Sequence, residues 1–199
     1  TRALSSAASD VYKRQAKDLC MIEYIDKVIE AGVTSLKIEG RAKSFYYVAV
    51  VTNAYRQAVD LYKKDPAHFQ LPAWIEEETR KVSHRQYSTG FYFGRPEQGQ
   101  YYENGGYVRQ WDVVAVLDKT ENDILYCTQL NKFSLGETVE ILCPGGTPEQ
   151  QPVSYTVTAI TDAEGNARQT ANNAMMKLTM PAKGLRLPAG AIIRRAAEA

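Results

Sequence analysis

The sequence predicts an α/β segment followed by an all-β antiparallel barrel. Up to about His84 the apolar residues recur at helical spacing, and after His84 they alternate with polar residues. Motifs rich in glycine, proline and asparagine separate the alternating stretches, as at the turns of hairpins. These observations divide the chain into an α/β segment at 16–65, a linker with a short helix at 66–84 and a β-barrel domain at 85–197.

The α/β segment consists of one predicted strand between two helices. Asp18 is positioned to cap a first helix that ends at Gly32, and residues 33–39 alternate as a strand does. A second helix, whose apolar residues fit the helical template closely, is expected to begin near Ser44 and to end at Asp65, which precedes a proline. A lone strand cannot form a sheet, so we expect this chain to be a fragment whose partner strands lie elsewhere.

The β-barrel domain is predicted from short alternating stretches that have no helix between them. Such a series favours a closed antiparallel barrel. The candidate strands are 87–93, 107–117, 124–130, 138–143, 154–160, 175–180 and 191–195. At the other end of the chain, residues 1–15 are rich in serine and alanine and lack apolar periodicity, so we expect a non-native or disordered segment there.

Charge and composition limit the classes of function. The formal net charge is +1, so no overall field attracts nucleic acid or an anionic membrane. No apolar stretch approaches the roughly 20 residues of a membrane-spanning helix, and we expect no membrane partner. The three cysteines are too few and too scattered for a disulfide framework. A reduced, cytoplasmic protein is the expectation.

Several motifs resemble one known family. They are Lys17-Asp18-Leu19-Cys20, the run from Gly32 to Arg41 that contains Lys-Ile-Glu-Gly-Arg, Tyr55-Arg56, the run from Ser88 to Gly94, Asn131-Lys132-Phe133 and Gly136-Glu137. Together they resemble the collagenase-like peptidase family, peptidase family U32, over nearly everything after Ala16. The chain departs from the family pattern at Ala42, where the family usually has methionine. The upstream cysteine-rich part of the family's domain is not in this sequence.

The resemblance implies both a fold and an activity. It implies that the α/β segment is the last strand and flanking helices of a TIM-type barrel, followed by the family's C-terminal β-barrel domain. Some relatives hydroxylate RNA and carry an iron–sulfur cluster. One subgroup forms 5-hydroxyuridine at the wobble position of transfer RNA with prephenate. We therefore expect a parent protein of this kind and an inactive fragment, with a collagenase-like protease or a β-barrel binding module for RNA or protein as alternatives.

Lys37, Glu39 and Arg41 are the candidate site residues of the Lys-Ile-Glu-Gly-Arg strand. Lys37 and Glu39 share one strand face, which in a TIM-type barrel points inward near the end where active sites lie. This makes both residues catalytic candidates, although a structural ion pair explains them equally well. Arg41 could bind an anion such as prephenate, because guanidinium groups pair with carboxylates in a bidentate way, or it could be a capping or solvent-exposed residue.

Cys20 is the candidate metal ligand. From the sequence alone a lone cysteine is more often a packing residue. The resemblance reverses this interpretation, because the family's fourth cluster-binding cysteine falls at this position. An iron–sulfur cluster needs four ligands, so the parent would have to supply the others. Cys127 and Cys143 are expected to pack in the barrel, and the two histidines, His68 and His84, to lie in the linker or on the surface.

Aromatic residues are frequent between the linker and the first barrel strands. They could stack on RNA bases or, as such residues do more often, form the core and rim of the barrel. Residues 106–199 carry nearly equal numbers of basic and acidic side chains, so charge does not decide between these roles. Transfer RNA is therefore expected as a partner only because of the family resemblance.

Overall fold

The structure is a computed structural model, which describes residues 15–95, 100–101, 107–144 and 151–197. It separates into two compact units, Thr1–Arg109 and Gln110–Ala199. Residues 85–109 therefore belong to the first unit, whereas the sequence prediction placed them in the barrel. Of the segment 1–15, for which disorder is predicted, only Gln15 lies within the described residues.

Three α-helices form the body of the first unit. They are α1 (Ile25–Glu30), α2 (Phe45–Lys64) and α3 (Ala73–Arg80), and short 3-10 helices cover Ile22–Tyr24 and Pro66–His68. Their shared core contains Ile22, Ile25, Ala54, Ala58 and Ile75. No helix among the described residues is both long and apolar enough to cross a membrane.

Helix α2 forms where the sequence predicts it. The Ser44 side chain caps its first turn by accepting a hydrogen bond from the Tyr47 amide at 3.3 Å. Its buried face includes Val50, Val51, Ala54 and Ala58, which follow the predicted apolar spacing. The helix ends at Asp65, as expected before a proline.

Two predictions for the first unit are wrong. Asp18 does not cap a helix: it lies in strand β2 (Asp18–Leu19), which pairs in parallel with β3 (Tyr87–Ser88). Its carboxylate accepts a hydrogen bond from the Arg85 amide at 3.0 Å. Residues 33–39, which are predicted as a strand, form no strand and pair with no described segment, because a strand forms only where another strand lies beside it. One more pair joins β1 (Gln15–Ala16) to β4 (Gln100–Tyr101).

The predicted strands agree better with the structure in the second unit than in the first. Its strands are β5 (Trp111–Glu121), β6 (Ile124–Gln129), β7 (Phe133–Ser134), β8 (Thr138–Leu142), β9 (Val153–Thr156), β10 (Thr161–Asp162), β11 (Thr170–Ala171), β12 (Lys177–Pro181) and β13 (Ile192–Ala196). Seven of them form one antiparallel sheet in the order β10-β12-β6-β5-β13-β8-β9. The β5–β6 hairpin turns through Asn122 and Asp123, both with positive φ, as its right-handed twist favours.

The sheet curls into a half-barrel around an apolar core. Within the described residues its edge strands β9 and β10 do not pair with each other, so the predicted closed barrel is not formed there. Beyond its two residues, β10 runs into a tight turn in which the Asp162 carboxylate accepts hydrogen bonds from the Asn166 amide and the Arg168 guanidinium. The core is filled by residues such as Phe133, Ile141 and Ile193.

Candidate functional site around Cys20

The predicted site residues of the Lys-Ile-Glu-Gly-Arg segment lie on the surface. Lys37, Glu39 and Arg41 are all exposed. The Glu39 carboxylate accepts a hydrogen bond from the Arg41 amide at 3.0 Å, which closes a local turn. No described strand pairs with this segment, so the structure does not show Lys37 and Glu39 facing the inside of a barrel.

Cys20 is held at the end of the β2–β3 pair. Its amide donates to the Ser88 carbonyl at 3.0 Å, which continues the ladder by one bond. From helix α2 the Tyr55 hydroxyl accepts a hydrogen bond from the Met21 amide at 3.0 Å. The same hydroxyl lies 3.7 Å from the Cys20 sulfur, where either group can supply the proton. The thiol is thus fixed by two separate parts of the fold and remains half-buried.

A cleft of about 400 Å³ opens beside Cys20. Its walls come from residues within 20–24, 76–80 and 84–89, all in the first unit. None of Lys37, Glu39 and Arg41 is among the described residues that line it. The structure therefore brings Cys20 together with side chains that the sequence did not single out, and leaves the other three predicted residues apart from the cleft.

Two aromatic rings form one wall of this cleft. Tyr87 stacks on His84 with ring centroids 4.3 Å apart, and its hydroxyl donates to the Thr79 carbonyl at 2.7 Å. His84, which the sequence places in the linker or on the surface, is buried. Its Nδ1 lies 2.5 Å from the Arg85 carbonyl, which only accepts, so Nδ1 donates this hydrogen bond.

Two carboxylates and one guanidinium line the cleft. Arg80 pairs with Glu76 at 2.5 Å and lies 3.7 Å from Glu23. Partial burial, followed by the hydrogen bond to Glu76, raises the pKa of Glu23. Burial also raises the pKa of Tyr55 and of Tyr87 well above the usual tyrosine range, so both phenols are neutral hydrogen-bonding groups at physiological pH. The cleft suits a polar ligand with hydrogen-bonding groups better than a highly charged one.

The residues of this chain do not by themselves make an iron–sulfur site. Such a cluster takes four thiolates or equivalent ligands, and the sequence contains three cysteines. Cys127 is packed in the core of the second unit, and Cys143 packs against that core. Among the described residues no group of three or more histidine, cysteine and carboxylate side chains could hold a metal ion. Cys20 alone could contribute one ligand.

Sequence reasoning missed Tyr55, Arg80, His84 and Tyr87 as partners of Cys20. A signal existed for Tyr55, which belongs to one of the family-like motifs, although its helical spacing marked it only as part of an apolar stripe. The other three come from a segment that was interpreted as linker and first barrel strand. Tyr87 is brought beside Cys20 by the β2–β3 pair, which no local pattern indicates.

Comparison with known proteins identifies the family. Residues 4–101 match Peptidase family U32, and residues 109–194 match the Peptidase family U32 C-terminal domain. The first match includes most of the segment 1–15 that composition sets apart.

Curated relatives carry two kinds of name. The chain is 36% identical over 160 residues to tRNA hydroxylation protein P1 of Bacillus subtilis, covering 79% of this chain and 37% of that protein. It is 33% identical over 159 residues to tRNA hydroxylation protein P of Escherichia coli, covering 78% of this chain and 33% of that protein. A collagenase of Porphyromonas gingivalis is 33% identical over 84 residues, covering 42% of this chain and 20% of that protein.

A solved structure also matches part of the chain. The C-terminal domain of a U32 peptidase from Geobacillus thermoleovorans aligns with a TM-score of 0.38 and 19% identity, covering 42% of this chain and 99% of that domain. The chain spans about a third of the length of the two tRNA hydroxylation proteins. With both family domains matched in order along the sequence, the chain belongs to peptidase family U32.

Proposed function

We propose that this chain is part of an enzyme that hydroxylates transfer RNA. The observation that carries the proposal is the 36% identity to tRNA hydroxylation protein P1, which extends over 79% of the chain and so includes most of both units. The proposed product is 5-hydroxyuridine at the wobble position, with prephenate as a small anionic cosubstrate. The proposed location is the cytoplasm, where transfer RNA is found.

The proposed cosubstrate site is the Lys-Ile-Glu-Gly-Arg segment. In a protein of the relatives' length, residues 33–39 would be the last strand of a TIM-type barrel, with Lys37 and Glu39 facing the site and Arg41 binding the anion. The exposed apolar side chain of Leu36 supports this, since Leu36 lies on the strand face opposite Lys37 and Glu39 and a strand of such a barrel packs one face on helices. The free surface around Arg41 leaves its guanidinium able to pair with a carboxylate.

Cys20 is proposed as one ligand of an iron–sulfur cluster in the whole protein. Its half-buried thiol beside a cleft supports this role, because a ligand must be reachable and yet shielded from water. We derive no reaction step through the cluster, since this chain holds one of the four ligands. The test is iron content after anaerobic reconstitution of a full-length protein. Cys20→Ser should lower it sharply and Cys143→Ser should not; equal iron in both variants would return Cys20 to a packing role.

The function is tested with a chimera. In Escherichia coli lacking tRNA hydroxylation protein P, this chain replaces the part of that relative that it matches, and transfer RNA nucleosides are measured by mass spectrometry. The chimera should restore 5-hydroxyuridine, and the same relative with the matched part deleted should not. A chimera that accumulates as folded protein but leaves the modification at the level of the deletion strain would contradict the proposal.

A collagenase-like protease is the second candidate, favoured by the collagenase names of some relatives. Peptide hydrolysis would require a nucleophile with its base or a bound metal. Among the described residues His68 pairs with Asp65, and His84 bonds a carbonyl and stacks on Tyr87. Cleavage of denatured collagen at a rate proportional to the concentration of the chimera, without tRNA hydroxylation, would establish this alternative. Binding of RNA or protein without either reaction would indicate a β-barrel binding module.

A further inference from the structure

A turn of three consecutive aromatic residues stands out from the surface of the first unit. We call residues 89–94 the aromatic turn. The exposed fractions of its three rings are 79% for Phe91, 65% for Tyr92 and 53% for Phe93. Adjacent large rings in water are unfavourable unless they serve as a contact surface. The sequence pattern predicted a strand here, but the glycines at both ends have positive φ and turn the chain outward.

The turn has a defined shape. The Tyr92 amide donates to the Thr89 carbonyl at 3.3 Å, and the Gly94 amide donates to the Phe91 carbonyl at 3.2 Å, so two tight turns follow one another. A side chain at position 90 would meet Leu19 at 3.2 Å, and its positive φ is one that glycine adopts most easily. The rings of Phe91 and Tyr92 are thus carried on an ordered backbone.

One ring anchors the turn to helix α1. Phe93 packs against Tyr24 with centroids 4.5 Å apart and planes inclined at 55°. The Lys27 ammonium lies 5.3 Å from the Tyr24 ring centroid and 5.2 Å from that of Phe93. Phe93 therefore fixes the position of the turn, and the Lys27 cation is held over the Tyr24 and Phe93 rings.

The aromatic turn borders the cleft beside Cys20. Tyr24 and Thr89 both line the cleft. Tyr24 is the packing partner of Phe93, and Thr89 is the first residue of the turn. A flat group that stacks on Phe91 or Tyr92 would therefore have its neighbouring groups next to the cleft. The aromatic turn is therefore well placed to guide a substrate toward the cleft.

We propose that the aromatic turn is a platform on which unpaired bases of a single-stranded RNA loop stack. This rests on the proposed function and adds the residues that hold the RNA. Every base has a π face, and stacked aromatic side chains are the usual means of holding unpaired bases. Lys27 suits a phosphate, whereas Asp26 and Glu30 on the same helix reduce the positive field. Stacking rather than charge must then supply most of the affinity, which favours a loop over a duplex.

The test measures RNA binding by the 199-residue chain with an anticodon stem-loop as probe. Phe91→Ala and Tyr92→Ala should each weaken binding about tenfold, the typical loss for one stacked base. Phe45→Ala is the matched control, since Phe45 is another exposed ring of the same unit, at 56% exposure. The salt dependence of binding should be unchanged in the ring variants, because the rings neutralise no phosphates, and should be weaker in Lys27→Gln.

A second readout separates stacking from a structural effect. In Phe91→Trp the new indole should bind the stem-loop as well as the natural ring does, and its fluorescence should be quenched by the RNA. A blunt duplex of the same length should bind more weakly and quench less. Equal binding by wild type and both alanine variants, or an unquenched Phe91→Trp, would overturn the platform.

The chimera distinguishes failure of the platform from failure of the proposed function. If the chimera hydroxylates transfer RNA and its Phe91→Ala, Tyr92→Ala variant does so with unchanged KM, the platform is wrong and the function stands. If the chimera without these substitutions is inactive, the function itself is wrong. If the substitutions leave RNA binding unchanged but convert a self-associated chain to monomers, the aromatic turn is a protein contact instead.

Discussion

The hydroxyl of Tyr55, from the middle of helix α2, lies 3.7 Å from the sulfur of Cys20. It also accepts a hydrogen bond from the Met21 amide at 3.0 Å. The hydroxyl thereby connects the long helix to the chain that follows strand β2. The position of the thiol depends on the packing of α2 as much as on its own strand.

Tyr55→Phe should lower the free energy of unfolding by about 1–2 kcal/mol, because it leaves the Met21 amide without its acceptor. It should also make Cys20 react more slowly with a thiol reagent, because the thiolate is the reactive form and loses the phenol that can donate to it. Urea unfolding and thiol-reaction rates measure the two effects. The control is Tyr62→Phe, whose exposed hydroxyl donates to Glu30 at 3.5 Å. Equal changes in the two variants would show that the Tyr55 contact has no special role.

Arg41→Ala in the chimera should raise the KM for prephenate about ten- to a hundredfold, which is the loss expected for one charge-assisted contact. Because Arg41 is exposed, its removal should leave the stability of the fold unchanged. Arg56→Ala is the control, since Arg56 is an exposed arginine that pairs with Asp60 on helix α2. An unchanged KM in Arg41→Ala would make Arg41 a surface residue.

The stability of the second unit should fall as the pH rises above about 8.5, where a thiol ionises in the unfolded chain. Burial, with a smaller effect of Asp118, raises the pKa of Cys127 to about 12 in the fold. The unfolded chain then binds fewer protons than the folded one, so folding loses up to about 1.4 kcal/mol per pH unit. Below about pH 8.5 both states keep the thiol protonated and this dependence is absent.

Trp111 fluorescence in a Trp74→Phe background can follow this unit during urea unfolding at two pH values. Cys127→Ala should remove most of the pH dependence. Cys143→Ala should remove less, because that thiol is only half-buried. A Cys127→Ala variant that retains the full dependence would contradict the assignment.

Glu140→Ala should destabilise the second unit more than Arg194→Met. The Arg194 side chain is fully buried, its guanidinium donates to Glu140 at 2.9 Å, and it lies 5.2 Å from the Trp111 ring centroid. Removing Glu140 takes a charge partner away from a buried cation, and breaking a buried ion pair in this way typically costs roughly 3–5 kcal/mol. Removing Arg194 leaves a carboxylate that water can reach, since the Glu140 side chain is 28% exposed.

The free energy of urea unfolding measures both variants. Glu121→Ala is the control within the same unit, because its ion pair with Lys119 is exposed and should contribute less than about 1 kcal/mol. A larger loss in Arg194→Met than in Glu140→Ala would show that packing of the long side chain outweighs the charge.

Local patterns predicted the elements whose causes are local. Helix α2 was predicted from its apolar spacing, its Ser44 cap and the proline after Asp65, and all three features act within a few residues. The hairpin strands of the second unit were located to within a few residues because alternation and turn motifs mark them directly. The sheet of the second unit is predicted to close into a barrel but forms a half-barrel. Closure depends on the distance between the two edge strands, which the alternation of apolar and polar residues does not determine.

The elements that were predicted wrongly depend on partners that are distant in the sequence. Residues 33–39 alternate as a strand does, but pairing needs a neighbour that the pattern does not specify. Asp18 fits a helix cap by residue type, whereas its carboxylate binds the amide of Arg85, 67 positions away. Cys20, Tyr55 and Tyr87 come together through these long-range contacts, so the candidate cleft could not be assembled from spacing alone.

Strand β13 lies in the interior of the main sheet, hydrogen-bonded to β5 on one side and β8 on the other. During synthesis the ribosome releases β5 and β8 long before β13, and until then the edges of both strands that face it are unpaired. The half-barrel therefore cannot form progressively as the chain emerges, and its cooperative folding must wait for the Ile192–Ala196 segment to leave the exit tunnel. In that interval the unpaired edges of β5 and β8 can pair with other nascent chains. Folding of this unit would therefore depend on chaperones more than folding of the helices that precede it in the sequence.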